Sequence, residues 1–539
     1  MKKNLKSLTD FDLRQMDEDW LGLLTPVQLQ AVSVRLLREL KETRDRLNQS
    51  PSNSSRPPSS RAPWDVKVDD GVAASPESAS TDTDGAALPT GSEAEGTTHD
   101  GKATLVTTDG KSRSSSRKSN PRKAGKQPGA QGFGRTQQLA IDVTVPHFAD
   151  QCAVCGHALL HEGAQAYTGW DEIDIATKID GVAGLRLRVS RHLLHASTCG
   201  CGHVTRAPHH EAPDDPFWDK VALGQWRLIG PHLAGAIVFL ALRMRLSRAR
   251  IREFFIELFD LRLSIGVIDE TIREAGRAVA PLEDEMILEI EQAALLHADE
   301  TPWKESGKLL WLWVFVADFT TLFFIGYRSL EILSNVLTGK FMGNLMSDGY
   351  LAYRHLGHRL RCWAHLIRKC QGLIESTDAR VAGAGKAMHD VLCTLMEAIY
   401  VARTVPNQES GVLASQYAHE IASLRTLCEC HHGHSHDKLR ALAREFLLDW
   451  DVILRQVAEP HLPLTNNTAE QALRHWVIAR RISMGTRSEA GTRAFALLAS
   501  VIETCRKRSA SSWVFIATVI AAARKGLAIP SLPAIPIGV

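Results

Sequence analysis

The sequence predicts a multidomain α/β protein, and three observations carry that prediction. Short apolar runs split by turns lie between residues 293 and 365, two cysteine knuckles lie upstream, and amphipathic helical sequence fills most of the remainder. Strand-length apolar runs beside segments of helical period point to a sheet covered by helices. The 539 residues, 44% hydrophobic and 23% charged, are an ordinary globular composition, with room for roughly three or four domains. The net charge is only +2, so bulk charge alone specifies no partner. The longest apolar runs, LAGAIVFLAL from Leu233 and LLWLWVFVA from Leu309, are too short to span a bilayer. The first twenty residues lack the apolar stretch of a secretory signal. Ten cysteines without an export signal fit a reducing cytoplasm, where paired cysteines more often bind metal than form disulfides.

Residues 1–49 form the first segment. Leu29, Val32, Leu36, Leu40 and Leu47 recur at helical spacing, which suits either a short coiled coil or a helix packed on the body. Residues 50–137 read as a linker. SPSNSSRPPSSRAP opens it, residues 65–100 carry nine acids and one lysine, and residues 101–137 carry nine Lys/Arg and one Asp. Such composition cannot bury a core; the basic half either lies along phosphates or is a solvated spacer. In the segment 138–210, QCAVCGHAL supplies Cys152 and Cys155, and STCGCGHVTRAP supplies Cys199 and Cys201. Two knuckles separated by strands read as a zinc ribbon with four thiolates around one Zn²⁺. The second knuckle is one residue tighter than usual, so His203 stands as an alternative fourth ligand. Segment 211–292 is helical, and its RLSRARIREFFIELFDLRLSIGVIDETIREAGRAV contains two amphipathic helices split near Leu263–Gly266. This is the shape of a DNA-reading helix-turn-helix, and equally of an ordinary helical pair.

The segments AALLHADE, KLLWLWVFVADF and TTLFFIGYRS read as three strands, SLEILSNVLTGK as a helix, and NLMSDGY and HRLRCWAH as two more strands. That order is the order of an RNase H-like core, here assigned to residues 293–365 and 464–525. Residues 366–463 between them read as helical again, and residues 526–539 as a tail. Asp299 and Asp348 stand where apolar strand sequence stops, and strand ends are where α/β folds place ligands. Glu470 opens the helix NNTAEQALRHWVIARR, whose other charges are almost all basic. Three carboxylates can hold two Mg²⁺ ions about 4 Å apart for phosphoryl transfer. Each acid also has a plain structural use: turn positions for Asp299 with Glu300, a turn at Asp348–Gly349, and for Glu470 the third position of a capping box with Asn467 as the cap. Asp318 is a rival at a hairpin tip. Arg474, Arg480, Arg481, Arg487 and Arg493 would bind phosphates or form a solvated basic face. His365 either contacts substrate or packs. The tract CECHHGHSH, Cys428–His436, could hold metal but reads better as a polar loop.

Taken together, several motifs resemble those of insertion-sequence-66 family transposases. These are NSSRPPSS, RKAGKQPGAQGFGR, the cysteine knuckles, HADETPWK, SDGYLAYR, CWAHLIRK and NNTAEQALRHWVIARR with GTRSEAGTRAFALLASVIET, in that order along most of the chain. The resemblance implies a DDE transposase with Asp299, Asp348 and Glu470 as catalytic and Mg²⁺-binding triad, Mn²⁺ able to substitute, and one structural Zn²⁺, and it implies that residues 366–463 are a helical insertion in the catalytic core. It further implies end and target DNA as partners, a homo-oligomer, accessory proteins of the same element, no membrane, and work at the nucleoid of a bacterial cytoplasm. The alternative is a catalytically inactive, zinc-dependent DNA-binding regulator derived from such an enzyme.

Overall fold

The computed structural model describes residues 18–49, 53, 137–179, 182–208, 227–337, 340–404 and 411–536. The acidic and basic halves expected of the linker lie outside the described residues. Two mixed sheets, with helices around them, make this an α/β protein.

The first sheet contains β1 (Val143–His147), β2 (Gln165–Ile179), β3 (Val182–Thr198), β4 (Val204–Arg206) and β5 (Arg227–Ile229). β2 and β3 form a long antiparallel hairpin, flanked by β1 parallel to β3 and β5 parallel to β2. The knuckles fall in the turns that enter this hairpin and leave it toward β4.

The second sheet contains β6 (Leu295–Glu305), β7 (Lys308–Val316), β8 (Thr321–Gly326), β9 (Asn344–Ser347) and β10 (Arg359–Arg361), in the order β10-β9-β6-β7-β8. β6, β7 and β8 are an antiparallel meander; β9 and β10 run parallel to β6. α6 (Leu330–Val336) makes the crossover from β8 to β9, which a parallel return requires. Leu312, Trp313, Val314 and Phe315 are all buried on successive positions of β7. A strand without alternation is one covered on both faces. The edge strand β8 is closed by α13 (Glu489–Lys507): Phe323 N–H donates to Ser500 Oγ at 2.8 Å and Thr321 N–H to Thr504 Oγ1 at 3.1 Å. Satisfying these groups removes an open pairing edge.

α2 (Pro231–Val238), α3 (Arg248–Phe259), α4 (Ile265–Ala278) and α5 (Leu282–Glu291) share one apolar cluster with this sheet and with α13. α4 stands in the position expected of a DNA-reading helix, yet its Ile268, Ile272 and Ala275 face the core. Gly276 lets α13 approach so closely that a Cβ there would overlap Ala494. α14 (Ser512–Arg524) packs on α2, and the tail returns to the body through Leu532, whose N–H donates to Glu285.

The helices between β10 and α12 (Asn467–Ser483) have a second apolar cluster of their own, from Trp363 to Leu464. They are α7 (Trp363–Ile374), α8 (Ala379–Arg403), α9 (Ala418–His431), α10 (Asp437–Leu448) and α11 (Trp450–Ala458), with a short helix Val412–Gln416. The N-terminal helix α1 (Pro26–Leu47), opened by a Thr25–Gln28 capping box, docks on this unit. Buried Asp45 accepts from Thr377 N–H at 3.2 Å and from Ser376 Oγ at 2.5 Å, and faces His436 Nε2 at 3.4 Å. His436 also accepts the Leu439 N–H as cap of α10. The Cys428–His436 tract therefore ends one helix, starts the next and receives α1; among the described residues it forms no group of metal ligands. On α1, Leu40 and Leu47 are exposed, while Val32 and Leu36 are half-buried. Among the described residues, no helix is long and apolar enough to cross a membrane.

Candidate active site

Asp299 does not end its strand. β6 continues through Glu305, because Thr301 and Trp303 still pair with Leu312 and Leu310 of β7. What ends near Asp299 is its other neighbour: the last parallel pair is His297 with Met346, and β9 stops at Ser347. Asp348 follows immediately. The two aspartates thus share the carboxyl end of β9, where an α/β sheet opens a crevice. Asp299 Oδ1 accepts the Glu300 N–H at 2.8 Å, and Asp348 Oδ1 accepts the Tyr350 N–H at 3.0 Å, so Asp348 also closes its own turn. Burial, then the charges of Asp348 and Glu300, push the Asp299 carboxyl well above the ordinary carboxylate range. The rival Asp318 is exposed at the β7–β8 turn.

Glu470 is not a capping-box residue. The cap is Asn466, one residue earlier than the sequence pattern suggests, so Glu470 falls at the fourth helical position. The reason is that the Asn466 side chain bonds the sheet instead of the helix. Its Nδ2 donates to the Ala298 carbonyl at 2.8 Å, its Oδ1 faces His297 Nδ1 at 3.1 Å, and its backbone N–H meets Cys362 Sγ at 3.2 Å. Asn466 so ties the start of α12 to the residue before Asp299. Glu470 then faces Arg368 Nη2 at 3.6 Å and His365 Nδ1 at 3.8 Å. The first is an ion-pair distance and both are too long for hydrogen bonds, and Glu470 Oε1 and His365 Nδ1 are buried without hydrogen-bond partners. Burial, aided by Asp348 and opposed by Arg368, raises the Glu470 carboxyl. His365 is held down to about 4, chiefly by burial and Arg368.

Among the described residues, two groups of metal-type ligands lie within 4.8 Å of one another. One is Cys152, Cys155, Cys199 and Cys201; the other is Cys362, His365 and Glu470. Asp299, Asp348 and Glu470 feel one another's charge without forming a third such group.

Sequence reasoning missed the side chains that support the aspartates. Glu300, beside Asp299, is buried; it takes the Arg328 guanidinium and the Tyr353 hydroxyl at 2.9 Å. Arg328 lies between the rings of Trp311 and Tyr350, 4.4 and 3.9 Å from their centroids. Burial and Asp348 bring the Glu300 carboxyl up to about 7. Only the adjacency of two acids in HADE hinted at this.

The five arginines divide. Arg480 donates to Thr301 Oγ1 at 3.0 Å, and Arg493 pairs with Glu283, so both already have protein acceptors. Arg474, Arg481 and Arg487 are exposed. At 100° per residue, Arg474 and Arg481 fall within about 40° of Glu470 on α12.

In the cysteine group, Cys152 Sγ lies 3.7 Å from Cys201 and Cys155 Sγ 3.5 Å from Cys199. The two knuckles close alike: Gly156 N–H bonds the Cys152 carbonyl at 3.0 Å and Gly202 N–H the Cys199 carbonyl at 2.8 Å, with positive φ at both glycines. His203 is outside the group; its carbonyl accepts the Cys199 N–H. Backbone N–H groups of Cys155 and Val154 draw the Cys152 thiol down to about 6. Such a cluster can bind a metal such as zinc.

Residues 227–494, from β5 into α13, match the model of the family described as Transposase IS66 family, and the chain belongs to that family. Two curated relatives come from Sinorhizobium fredii. "Uncharacterized protein y4qI" is 24% identical over 280 residues, 46% of this chain and 51% of that protein. "Uncharacterized protein y4jO" is 28% identical over 173 residues, 32% of this chain and 50% of that protein. The chain thus spans about half the length of these relatives.

Two measurements check this geometry. Metal analysis of the purified chain should give about one Zn²⁺, lost when Cys152 and Cys155 both become Ser; full retention contradicts the four-sulfur assignment. The second is pH-dependent. A carboxyl raised from 4.5 to about 7 on folding gives stability that is complete below 4.5 and lost as pH rises through 7. Glu300→Gln fixes the neutral form, so wild-type stability relative to this variant should fall by about 3 kcal/mol across that window. A flat difference would place Glu300 in a solvated setting.

Proposed function

We propose that the chain is a DNA transposase, with its second sheet as an RNase H-like catalytic core and with Asp299, Asp348 and Glu470 as a DDE triad. It binds the ends of an insertion sequence, cleaves there, and joins the freed 3′ hydroxyl to target DNA. The observation that carries this reading is the meeting of Asp299 and Asp348 at the carboxyl end of β9, with Glu470 within electrostatic reach. The strand order β10-β9-β6-β7-β8 supports the same reading.

The donor set fits magnesium. It consists of hard carboxylate oxygens, one of which, Glu470 Oε1, is buried without a hydrogen-bond partner. Asp299, Asp348 and Glu470 would hold two Mg²⁺ ions, for which Mn²⁺ can substitute. When bound, these ions supply the Lewis acidity that activates an attacking oxygen and steadies a leaving one. Glu470 would turn from Arg368 toward the aspartates to complete the set, and the bound cations would offset the repulsion among the three carboxylates. Arg474, Arg481 and Arg487 would meet phosphates, while Arg480 and Arg493 hold α12 and α13 in place. Asn466 orients α12 through its bond to Ala298.

The four cysteines would hold one structural Zn²⁺, and the module carrying them, with the helical segment after it, would recognise the element's ends. Exposed Leu40 and Leu47 on α1 support pairing of protomers. Accessory proteins of the same element would join the assembly, and the substrate would place it at the nucleoid, in the cytoplasm.

Glu470→Gln tests the triad. Gln keeps the shape but cannot supply the charge that two cations and a phosphodiester demand. Folding and end-DNA binding should stay near normal, and Mg²⁺-dependent cleavage of a labelled end should fall at least about a thousandfold, a barrier rise of about 4 kcal/mol. Cleavage at the wild-type rate would remove Glu470 from the chemistry. A folded wild-type chain that binds end DNA but never cuts it would favour the inactive regulator.

A further inference from the structure

The turn that presents Asp348 is gripped from behind by a side chain that no motif singled out. Arg361, the last residue of β10, is 1% exposed. Its Nη2 donates to the Asp348 carbonyl at 3.1 Å, and its guanidinium fills the space where a Cβ on Gly349 would stand. Gly349 has φ +99, so a side chain at this position is refused twice, by conformation and by the arginine. The arginine is itself fixed by two acids of the helical insertion. Asp449, between α10 and α11 and 1% exposed, takes its Nη1, and Glu445 of α10 takes its Nη2. Arg359 and Lys369 share those acids, at 3.2 Å from Asp449 and 2.7 Å from Glu445. An isolated buried arginine would cost far more than it returns, whereas a paired and hydrogen-bonded one gives a single orientation.

We propose that Arg361, oriented by Asp449 and Glu445, is a positioning residue for Asp348: the helical insertion supplies the counter-charges that set one of the two aspartates. This rests on the reading of Asp348 as a cation ligand. It gives residues 366–463 a task in the reaction beyond spacing. The fork shape of the guanidinium is what allows one group to reach two acids and a carbonyl together.

The experiment uses the full chain and Mn²⁺, with free Mn²⁺ followed by electron paramagnetic resonance. Arg361→Gln removes the one cation among the described residues that reaches both acids, leaving Asp449 to Arg359 and Glu445 to Lys369, and is expected to melt early. Pairing it with Asp449→Asn returns the cluster to its wild-type net charge without restoring the bond to the Asp348 carbonyl. The double variant should therefore regain much of the melting temperature yet bind Mn²⁺ at least about tenfold more weakly than wild type. Asp449→Asn alone, which keeps the shape of the site, should weaken Mn²⁺ at least about threefold. Amide hydrogen exchange over residues 348–351, measured without metal, should accelerate in both. A folded double variant with wild-type Mn²⁺ affinity and wild-type exchange overturns the proposal, and so does an unaffected Asp449→Asn. Asp299→Asn separates the two layers. If it leaves Mn²⁺ binding untouched, the cation reading fails, while accelerated exchange still supports the grip of Arg361 on the turn.

Discussion

Asp299 and Asp348 come from neighbouring parallel strands and are brought to one end of the sheet, where burial and the charge of Asp348 oppose ionisation of Asp299. A like charge beside a poorly solvated carboxyl raises its proton affinity further, as at Asp299. Much of the surrounding structure holds this arrangement despite that cost. Arg328, stacked between two rings, balances Glu300. Arg361 grips the turn of Asp348, and Asn466 sets the start of α12 against β6. Arg368 balances Glu470 at ion-pair distance. Each support comes from a different stretch of chain, so the site exists only when the sheet, the insertion and α12 are all in place.

The insertion has its own apolar cluster and yet is wired into the sheet through charge. α10 is central to that wiring. Its first turn, capped by His436, receives Asp45 and Arg46 of α1, and its last turn carries Glu445, which meets Arg361. The Cys428–His436 tract, which reads in the sequence as a polar loop rather than a metal site, is a docking point, because its histidines cap, turn and pair rather than converge.

The strand runs, the crossover helix and the residues of the cysteine knuckles were legible in the sequence because hydrophobic period and ligand spacing are local properties. The extent of β6 was not. A polar Asp299 reads as a strand end, whereas pairing with β7 carries the strand past it. The cap of α12 was misplaced by one residue because two asparagines compete for the role, and tertiary bonds to Ala298 and His297 decide between them. The basic helix suggested five phosphate contacts, but Glu283 and Thr301, remote in sequence, occupy Arg493 and Arg480. The buried network of Arg361, Asp449 and Glu445 leaves no local trace, since its members are separated by 84 and 88 positions.

The position of Glu470 is the point on which the catalytic reading turns, because its carboxylate here faces His365 and Arg368 with Cys362 nearby. A structure of the full chain with end DNA and Mn²⁺, with the cation located by its anomalous scattering, tests this directly. The triad reading predicts Mn²⁺ between Asp299, Asp348 and a Glu470 turned away from Arg368. Mn²⁺ bound only by Cys362, His365 and Glu470, with the aspartates bare, would contradict it.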